Sequence, residues 1–292
     1  MRETVVISGK GGTGKTSITA GFASLAKDTV FADCDVDAPD LHLILKPKIK
    51  ETIGFHGLKL PTIDRAVCTN CKRCYESCKF DAIDEDINVI KERCEGCGVC
   101  TYVCPVNAID MVDRDSGFVY ISETRFGPMV HAILNTAEET SGKLVAEVRK
   151  NAKKLAEQEN MENILIDGPP GIGCPVTSSI TGVDLVLIVT EPTLSAIHDL
   201  ERVLKVADHF AVPSVVCINK YDINQENTRR IEEYCGGRNV EVVGKIPYDA
   251  AVTEAMVAEK TIIEYNSKTE VSMTLMEIWE KIVERLKSEK KG

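Results

Sequence analysis

The sequence predicts a doubly wound α/β domain with a mostly parallel sheet and a small α+β domain inserted into it. Short runs of continuous Val, Ile and Leu alternate with helical stretches along most of the chain, which is typical of parallel strands covered on both faces. The alternation breaks once, between about Asp64 and Asp113, where eight of the twelve cysteines lie. We therefore expect residues 1–63 and 114–292 to form the large domain and residues 64–113 the insertion.

The predicted elements of the large domain follow one another in strand–helix order. Strands are predicted over Val5–Ile7, Thr29–Ala32, Asn163–Asp167, Val183–Thr190, Ser214–Asn219 and Val240–Lys245. Helices are predicted over Gly14–Lys27, Gly142–Glu159, Leu194–Phe210, Gln225–Cys235 and Val271–Lys287. Short strand-like pieces over Gly57–Leu60 and Phe118–Ser122 are expected to tie the insertion to the sheet.

Composition and charge exclude several classes of protein. Hydrophobic residues make up 43% and charged residues 27% of the 292 residues, as in ordinary globular proteins. The net charge of −10 disfavours a nucleic-acid partner. No apolar run approaches the roughly 18 residues of a membrane span, and the N-terminus lacks a signal pattern. The basic stretch Lys287 to Lys291 is interpreted as a solvated helix end, so membrane attachment is not expected and a cytoplasmic protein is.

A phosphate-binding loop is predicted between the first strand and the first helix. Residues 9–16 read GKGGTGKT and fit the G-x-x-x-x-G-K-[ST] pattern in the strand–loop–helix setting that this motif requires. Backbone N–H groups of such a loop surround phosphate oxygens at a helix N-terminus. Lys15 is expected to neutralise the β- and γ-phosphates, and the Thr16 hydroxyl to ligate Mg²⁺.

Lys10 makes the loop resemble the deviant Walker A box of the MinD/ParA/Mrp ATPases, a group that includes the nitrogenase iron protein. In that family the early lysine reaches across a dimer interface to the partner's nucleotide. The resemblance implies an ATP-dependent homodimer. The residues that it assigns to phosphate binding are Gly9, Lys10, Gly11, Gly12, Thr13, Gly14, Lys15, Thr16 and Ser17.

Further motifs continue this resemblance. The stretch DCDVDAPDL, which begins at Asp33, matches the first switch of the family; by position Asp35 would orient the attacking water and Asp33 would lie near the Mg²⁺ ligands. Asp167 opens a D-G-P-P-G stretch that matches the Walker B carboxylate and second switch.

The predicted base-binding residues are compatible with either ATP or GTP. Asn219, Pro247 and Tyr248 are the residues that the resemblance assigns to the adenine of ATP. Residues 219–222 also satisfy the N-K-x-D pattern with which many GTPases read guanine. The resemblance favours ATP.

The cysteines of the insertion predict two [4Fe–4S] clusters. Both runs have the spacing C-x2-C-x2-C-x3-C, that of bacterial two-cluster ferredoxins, in which the fourth cysteine of each run ligates the other cluster. The ligands of cluster one are then Cys68, Cys71, Cys74 and Cys104. Those of cluster two are Cys94, Cys97, Cys100 and Cys78. Zinc is the alternative, but it would require only C-x2-C pairs. A disulfide framework is not expected in a cytosolic chain.

Four cysteines lie outside these runs. Cys217 is predicted to be a core residue, and Cys235 to end a helix without a special role. Cys174 lies at the spacing from Asp167 at which the nitrogenase iron protein holds a cluster that bridges its dimer, but a second cysteine from the preceding segment is missing. A redox or transfer thiol at Cys34 or Cys174 remains open.

Together the motifs resemble MinD-superfamily ATPases that carry an inserted ferredoxin domain. The favoured hypothesis is an ATPase dimer that gates low-potential electron transfer to a redox partner protein. The alternatives are an Mrp-like ATPase that delivers a metallocluster to an accepting apoprotein and a MinD-like positioning ATPase. The negative charge of the insertion suits a basic redox partner.

Overall fold

The computed structural model describes residues 1–135 and 141–288. Within them the strands are β1 (Arg2–Ser8), β2 (Thr29–Asp33), β3 (Lys48–Ile63), β4 (Ile109–Thr124), β5 (Gly127–Leu134), β6 (Asn163–Pro170), β7 (Leu185–Thr190), β8 (Ser214–Asn219) and β9 (Glu241–Ile246). The α-helices are α1 (Lys15–Ala23), α2 (Leu41–Leu45), α3 (Arg73–Ser77), α4 (Val99–Tyr102), α5 (Ser141–Gln158), α6 (Cys174–Ile180), α7 (Leu194–His209), α8 (Gln225–Gly237), α9 (Ala251–Val257), α10 (Ile262–Tyr265) and α11 (Glu270–Ser288).

The strands of the described residues form a nine-stranded sheet in the order β3-β4-β5-β2-β6-β1-β7-β8-β9. From β5 to β9 every neighbouring pair is parallel. Strand β1 is the sixth of the nine strands in this order, and strands that follow it in the sequence lie on both sides of it. The predicted doubly wound, mostly parallel sheet is confirmed.

Both faces of the parallel strands are buried. One core cluster contains Val6 of β1 and Leu187 of β7 together with residues of α1 and α11. The residues that alternate with them, such as Val5 and Ile188, are also fully buried, and they belong to the opposite face because side chains alternate along a strand. Helix α5 packs against β2 and β6, and α7 against β7. This explains why the strands read as continuous apolar runs.

The chain divides into two compact units. The larger unit contains Met1–Thr52, Val119–Ile133 and the described residues from Ser141 onward. The cysteine-rich unit contains Ile53–Phe118 with Leu134 and Asn135. Its small core consists of Cys74, Ile83, Ile87 and Ile109, packed against further cysteines and apolar side chains. A core this small supplies little hydrophobic free energy.

Several element boundaries differ from the prediction. The pieces expected over Gly57–Leu60 and Phe118–Ser122 are parts of β3 and β4, which are 16 residues long each. Many positions of these two strands are exposed, so the strands lack the continuous apolar run by which a buried strand is predicted. Strand β5 was not predicted, and α1 ends at Ala23 rather than at Lys27.

No helix within residues 1–135 or 141–288 combines the length and the apolar character needed to cross a bilayer. Helix α11 ends with Arg285 and Lys287 in its last turn, where positive charge is favourable next to the helix dipole. The remainder of the predicted basic stretch, from Glu289 onward, lies outside the described residues.

Candidate functional site

The phosphate-binding loop requires glycine at two positions for steric reasons. Gly14 has φ +92°, and a Cβ added there would lie 2.3 Å from Nδ2 of Asn219. A Cβ on Gly9 would lie 2.4 Å from Cβ of Asp199 on α7. Larger residues would therefore push the loop away from β8 and α7. The loop lies between β1 and α1, as predicted.

The order of the strands brings the motif carboxylates to this loop. Strand β6 lies between β1 and β2, and Asp33 at the end of β2 is in register with Asp167 of β6. The carboxyl ends of parallel strands share one edge of the sheet, which is where ligands bind in open α/β folds. Both carboxylates are fully buried.

Asp167 is the centre of the contacts at this edge. Its Oδ2 accepts a hydrogen bond of 2.7 Å from the Thr16 hydroxyl, and its Oδ1 accepts one of 3.1 Å from Thr19. Lys15 Nζ lies 3.4 Å from the same Oδ1. Asp167 thus connects β6 to both the lysine and the hydroxyl of the loop.

The segment after β2 is held by Asp33 and carries Asp35 to Lys15. Asp33 accepts backbone hydrogen bonds from Asp35 and Leu41, at 3.1 and 3.2 Å. Asp35 Oδ2 lies 3.1 Å from Lys15 Nζ. Asp33 therefore fixes the backbone on both sides of the predicted first-switch segment, while Asp35 faces Lys15.

Burial and charge both act on the ionisable groups here. Burial, and then the charge of Asp167, raises the pKa of Asp33 well above its usual value. Burial also raises the pKa of Asp35, against the opposing effect of Lys15. For Lys15, burial lowers the pKa, but the attraction of Asp167 and Asp35 outweighs it and the pKa is raised. Three carboxylates against one ammonium form an environment that favours a divalent cation.

A cavity of about 580 Å³ opens beside the loop, a volume typical of small-molecule sites. Its walls include the predicted base-binding residues Asn219, Pro247 and Tyr248 and the predicted phosphate-binding residues Gly11, Gly12, Thr13, Gly14, Lys15, Thr16 and Ser17. Asn219 Nδ2 donates 2.7 Å to the Thr13 carbonyl, which holds the end of β8 against the loop. Tyr248 is 58% exposed at the cavity edge.

Lys10 does not line this cavity. Its ammonium group lies 2.7 Å from Glu191 Oε1, at the end of β7. It also donates to the hydroxyls of Thr193 and Ser195, each at 3.2 Å. Lys10 therefore points toward the start of α7, away from the nucleotide cavity of its own chain.

In the cysteine-rich unit, the eight cysteines separate into two sets around two small cavities. The first cavity is lined by Cys68, Cys71, Cys74 and Cys104. The second is lined by Cys78, Cys94, Cys97 and Cys100. In each set three cysteines come from one run and the fourth from the other run. Among the described residues, no three His, Cys, Asp or Glu side chains are arranged to hold a single metal ion.

The two cysteine runs have the same local backbone. Left-handed residues occupy equivalent places in both: Asn70 and Gly96, Lys72 and Gly98, Asp81 and Asn107. The backbone N–H of Ala82 donates to Cys78 Sγ at 3.3 Å, and that of Ala108 to Cys104 Sγ at 3.2 Å. The fourth cysteine of each run thus accepts a hydrogen bond from the residue four places later, an interaction that stabilises a thiolate.

The remaining cysteines differ in exposure. Cys217 is fully buried, as predicted, and burial raises its pKa to about 12. Burial also raises the pKa of Cys34 strongly, which disfavours the reactive thiolate that a transfer role would need. Cys235 is buried as well, whereas Cys174 is exposed at the start of α6.

Three residues of the larger unit contact the loop but were not assigned to the site from the sequence. Thr19 bonds to Asp167, one turn after the loop. Glu191 contacts both Lys10 and Lys220, and Lys220 Nζ also donates 3.2 Å to the Gly12 carbonyl. The positions of two of them in the sequence could have indicated this role. Glu191 and Lys220 directly follow β7 and β8, and the carboxyl ends of these parallel strands lie at the same edge of the sheet as the loop.

Several relatives in sequence were found. An uncharacterized protein of Methanocaldococcus jannaschii is 35% identical over 283 residues, covering 96% of this chain and 95% of the relative. Shorter similarities link the chain to a pyruvate synthase subunit PorD of the same organism (38% over 71 residues, 23% of this chain and 83% of the relative). An uncharacterized ferredoxin of that organism is 32% identical over 110 residues, which are 33% of this chain and 73% of the relative.

Solved structures and family models agree on the fold. The septum site-determining protein MinD of Pyrococcus horikoshii, solved as a complex with Mg-ADP, superimposes with a TM-score of 0.61 at 18% identity and covers 96% of this chain and 95% of its own. The family model described as the CobQ/CobB/MinD/ParA nucleotide binding domain matches residues 4–262. The chain therefore belongs to the CobQ/CobB/MinD/ParA family of P-loop nucleotide-binding proteins.

Proposed function

We propose that this protein is an ATP-hydrolysing dimeric switch whose nucleotide state gates low-potential electron transfer from two [4Fe–4S] clusters to a partner protein. The observation that carries the proposal is the division of eight cysteines into two crossed sets of four, in a chain that also has a complete phosphate-binding loop. In this proposal residues 64–113 form the ferredoxin-type domain, inserted into an ATPase domain of residues 1–63 and 114–292.

The nucleotide half of the proposal assigns a role to each residue at the sheet edge. Lys15 neutralises the β- and γ-phosphates, and the Thr16 hydroxyl ligates Mg²⁺ with Asp33 and Asp167 nearby. Asp35 orients the attacking water, since it is the acidic side chain in contact with Lys15 that also lines the cavity. Asn219, Pro247 and Tyr248 enclose the base.

ATP rather than GTP is supported by the position of Asp222. A guanine-reading aspartate must line the base site, whereas Asp222 is not among the residues that line the cavity. Its Oδ1 instead accepts a hydrogen bond of 2.7 Å from the backbone N–H of Tyr248.

The cluster half of the proposal rests on the chemistry of the ligands. Four thiolates per cluster are the usual ligand set of a [4Fe–4S] centre. N–H donors already face Cys78 and Cys104, the two cysteines that cross between the sets. When bound, the clusters supply one-electron carriers. The similarity to a ferredoxin supports this assignment over zinc. Because the unit has a small core, cluster binding would also supply part of its folding free energy.

Dimerisation is proposed to depend on Lys10. This side chain lies outside its own nucleotide cavity and is 31% exposed, so a second copy of the chain can reach it. In the dimer it would contact the nucleotide of the partner, and ATP binding and association would be one event.

The proposal is tested with anaerobically purified protein. We expect about eight iron atoms per chain and an ATP-induced dimer, seen by light scattering on a sizing column. Lys10→Ala should keep the iron and remain monomeric with ATP. A normal ATP-induced dimer of this variant would reject the role of Lys10, and protein isolated without iron would reject the cluster half.

The alternatives predict different outcomes for the clusters. Delivery of a metallocluster requires clusters that leave the protein intact and appear in an apoprotein. A positioning ATPase requires clusters that are indifferent to nucleotide, together with ATP-dependent binding to a membrane or filament. Permanent clusters that cycle one electron at low potential support the electron-transfer proposal.

A further inference from the structure

The ammonium group of Lys10 has no free hydrogen-bond donor in this structure. A lysine ammonium carries three N–H donors. The three acceptors within reach are Glu191 Oε1 at 2.7 Å and the hydroxyls of Thr193 and Ser195 at 3.2 Å. Glu191 and Thr193 belong to the segment that joins β7 to α7, and Ser195 lies in the first turn of α7. Lys10 must therefore leave these partners before it can bind a phosphate group on another molecule.

Glu191 is the charged member of this set. Its side chain is only 14% exposed, and Lys10 and Lys220 lie on its two oxygens, at 2.7 and 3.3 Å. Although burial alone would raise its pKa, these two cations hold the pKa of Glu191 below its usual value. A half-buried ion pair with two cations is stronger than an exposed one.

We propose that Glu191 is an intramolecular latch for Lys10, and that ATP-driven dimerisation exchanges this carboxylate for the nucleotide phosphates of the partner copy. This inference rests on the proposed function, because it assumes the intermolecular role of Lys10. It adds a regulatory residue to the site: the latch lowers the fraction of chains whose Lys10 is ready to associate, so that nucleotide-free or ADP-bound chains remain monomeric.

Lys220 makes the latch reversible. A half-buried carboxylate left without a cation would be costly, but Glu191 keeps Lys220 when Lys10 departs. Lys220 Nζ also donates to the Gly12 carbonyl in the phosphate-binding loop, and its backbone N–H bonds to the side chain of Asn219 beside the base. A change in the loop on nucleotide binding can therefore alter the contacts of Glu191 through the side chain of Lys220.

The test measures the dimer dissociation constant by analytical ultracentrifugation with saturating Mg-ATP. All proteins carry Asp35→Asn, which is expected to prevent hydrolysis. Glu191→Gln keeps the shape of the side chain and removes its charge. We expect it to strengthen dimerisation by about tenfold or more, because each of the two chains loses one charged contact that competes with association. Ser195→Ala, which removes one hydroxyl partner without touching Lys220, should act in the same direction but more weakly.

Glu201→Gln is the matched control. It removes one negative charge from α7, where Glu201 pairs with Lys205 at 2.7 Å, and it should leave the dimer constant unchanged. The monomer affinity for Mg-ADP, measured on the same proteins, reports whether the loop is still intact. If Glu191→Gln weakens nucleotide binding, its dimer constant no longer reports on the latch alone, and the dimer constant of Ser195→Ala is used to test the latch instead.

The outcomes separate this inference from the proposed function. If the Asp35→Asn reference protein does not dimerise with ATP, the proposed function fails. If it does, and both Glu191→Gln and Ser195→Ala dimerise no more tightly than the reference, the latch is rejected while the proposed function stands.

Discussion

The hydroxyl of Thr16 donates a hydrogen bond of 2.7 Å to Asp167 Oδ2. This bond joins the last residue of the phosphate-binding motif to β6, the strand next to β1. A hydroxyl and a carboxylate so close together are hard oxygen ligands of the kind that Mg²⁺ prefers. Thr16 and Asp167 are therefore residues that would hold a Mg²⁺ ion at this edge of the sheet.

The first prediction concerns the Thr16 hydroxyl. Thr16→Ala should lower the rate of ATP hydrolysis by about 100-fold, because the Thr16 hydroxyl is the proposed protein ligand of Mg²⁺. Thr16→Ser, which keeps the oxygen, should stay within a few-fold of the unmodified protein. Phosphate release at saturating Mg-ATP measures both. Equal rates for the alanine and serine variants would contradict the assigned role.

The second prediction tests whether the fourth cysteines cross between clusters. Cys71 and Cys104 belong to the same set, whereas Cys71 and Cys78 belong to different sets. The double variant Cys71→Ala/Cys104→Ala should therefore lose one cluster and retain about four iron atoms per chain. The double variant Cys71→Ala/Cys78→Ala should lose both clusters. The iron and acid-labile sulfide content of each purified variant distinguishes these two results.

An uncrossed arrangement would give the opposite result, because Cys71 and Cys78 would then share a cluster. Cys174→Ala is the control: Cys174 is exposed and belongs to neither set, and it should keep the full iron content.

The third prediction concerns the reduction potential of cluster one relative to that of cluster two. Lys72 and Arg73 line the cavity of the first cysteine set, and both are exposed. Reduction adds negative charge, so these cations favour the reduced form of cluster one. Replacing both with Gln should lower its reduction potential by tens of millivolts, the order expected for partly screened charges.

Potentials are measured by EPR-monitored titration. Lys91 and Arg93 serve as a control pair, since they are also exposed but line neither cavity. An identical shift of both clusters by either pair would show that only the net charge of the unit matters.

The fourth prediction is a dependence of stability on pH that arises from His131. This side chain is 5% exposed, and burial, with a smaller effect of His42, lowers its pKa from 6.5 to about 4. Its ring is stacked on Tyr120, and its Nδ1 has no hydrogen-bond partner. Between pH 6.5 and 4 the unfolded chain binds a proton there that the folded chain does not. The free energy of unfolding should therefore fall by about 3 kcal/mol as the pH decreases through this window.

Trp279, which packs against Phe22 in the larger unit, reports urea unfolding by its fluorescence. Carboxylates also titrate near pH 4, so the quantity of interest is the difference between proteins. His131→Phe should lose less stability from pH 7 to pH 4 than the unmodified protein. His198→Gln, which changes an exposed histidine, should lose as much as the unmodified protein. Parallel pH curves for His131→Phe and the unmodified protein would contradict the prediction.

The sequence was most informative where chemistry depends on close spacing. Gly14, Lys15 and Thr16 are adjacent in the chain. The left-handed backbone at Gly14 favours glycine, and binding of phosphate and Mg²⁺ favours a lysine and a hydroxyl beside it. The two cysteine runs likewise require x2 and x3 spacings and left-handed residues at fixed places. Such features can be predicted because neighbouring residues determine them.

Contacts that depend on topology were harder to predict. Glu191 is 181 residues from Lys10 in the sequence, and only the position of β7 beside β1 brings them together. Strand β5 was not predicted because its apolar run is short and is interrupted by His131. The long β3 and β4 escaped it because exposed strands carry a weak apolar pattern.

The central claim is that the nucleotide state of the larger unit alters the behaviour of iron centres in the cysteine-rich unit. EPR-monitored reductive titration of the anaerobic Asp35→Asn protein, with Mg-ATP and with Mg-ADP, tests it most directly. We predict that at least one cluster differs in reduction potential or EPR line shape between the two nucleotides. Identical titrations, recorded on protein that binds both nucleotides and dimerises with ATP, would contradict the account.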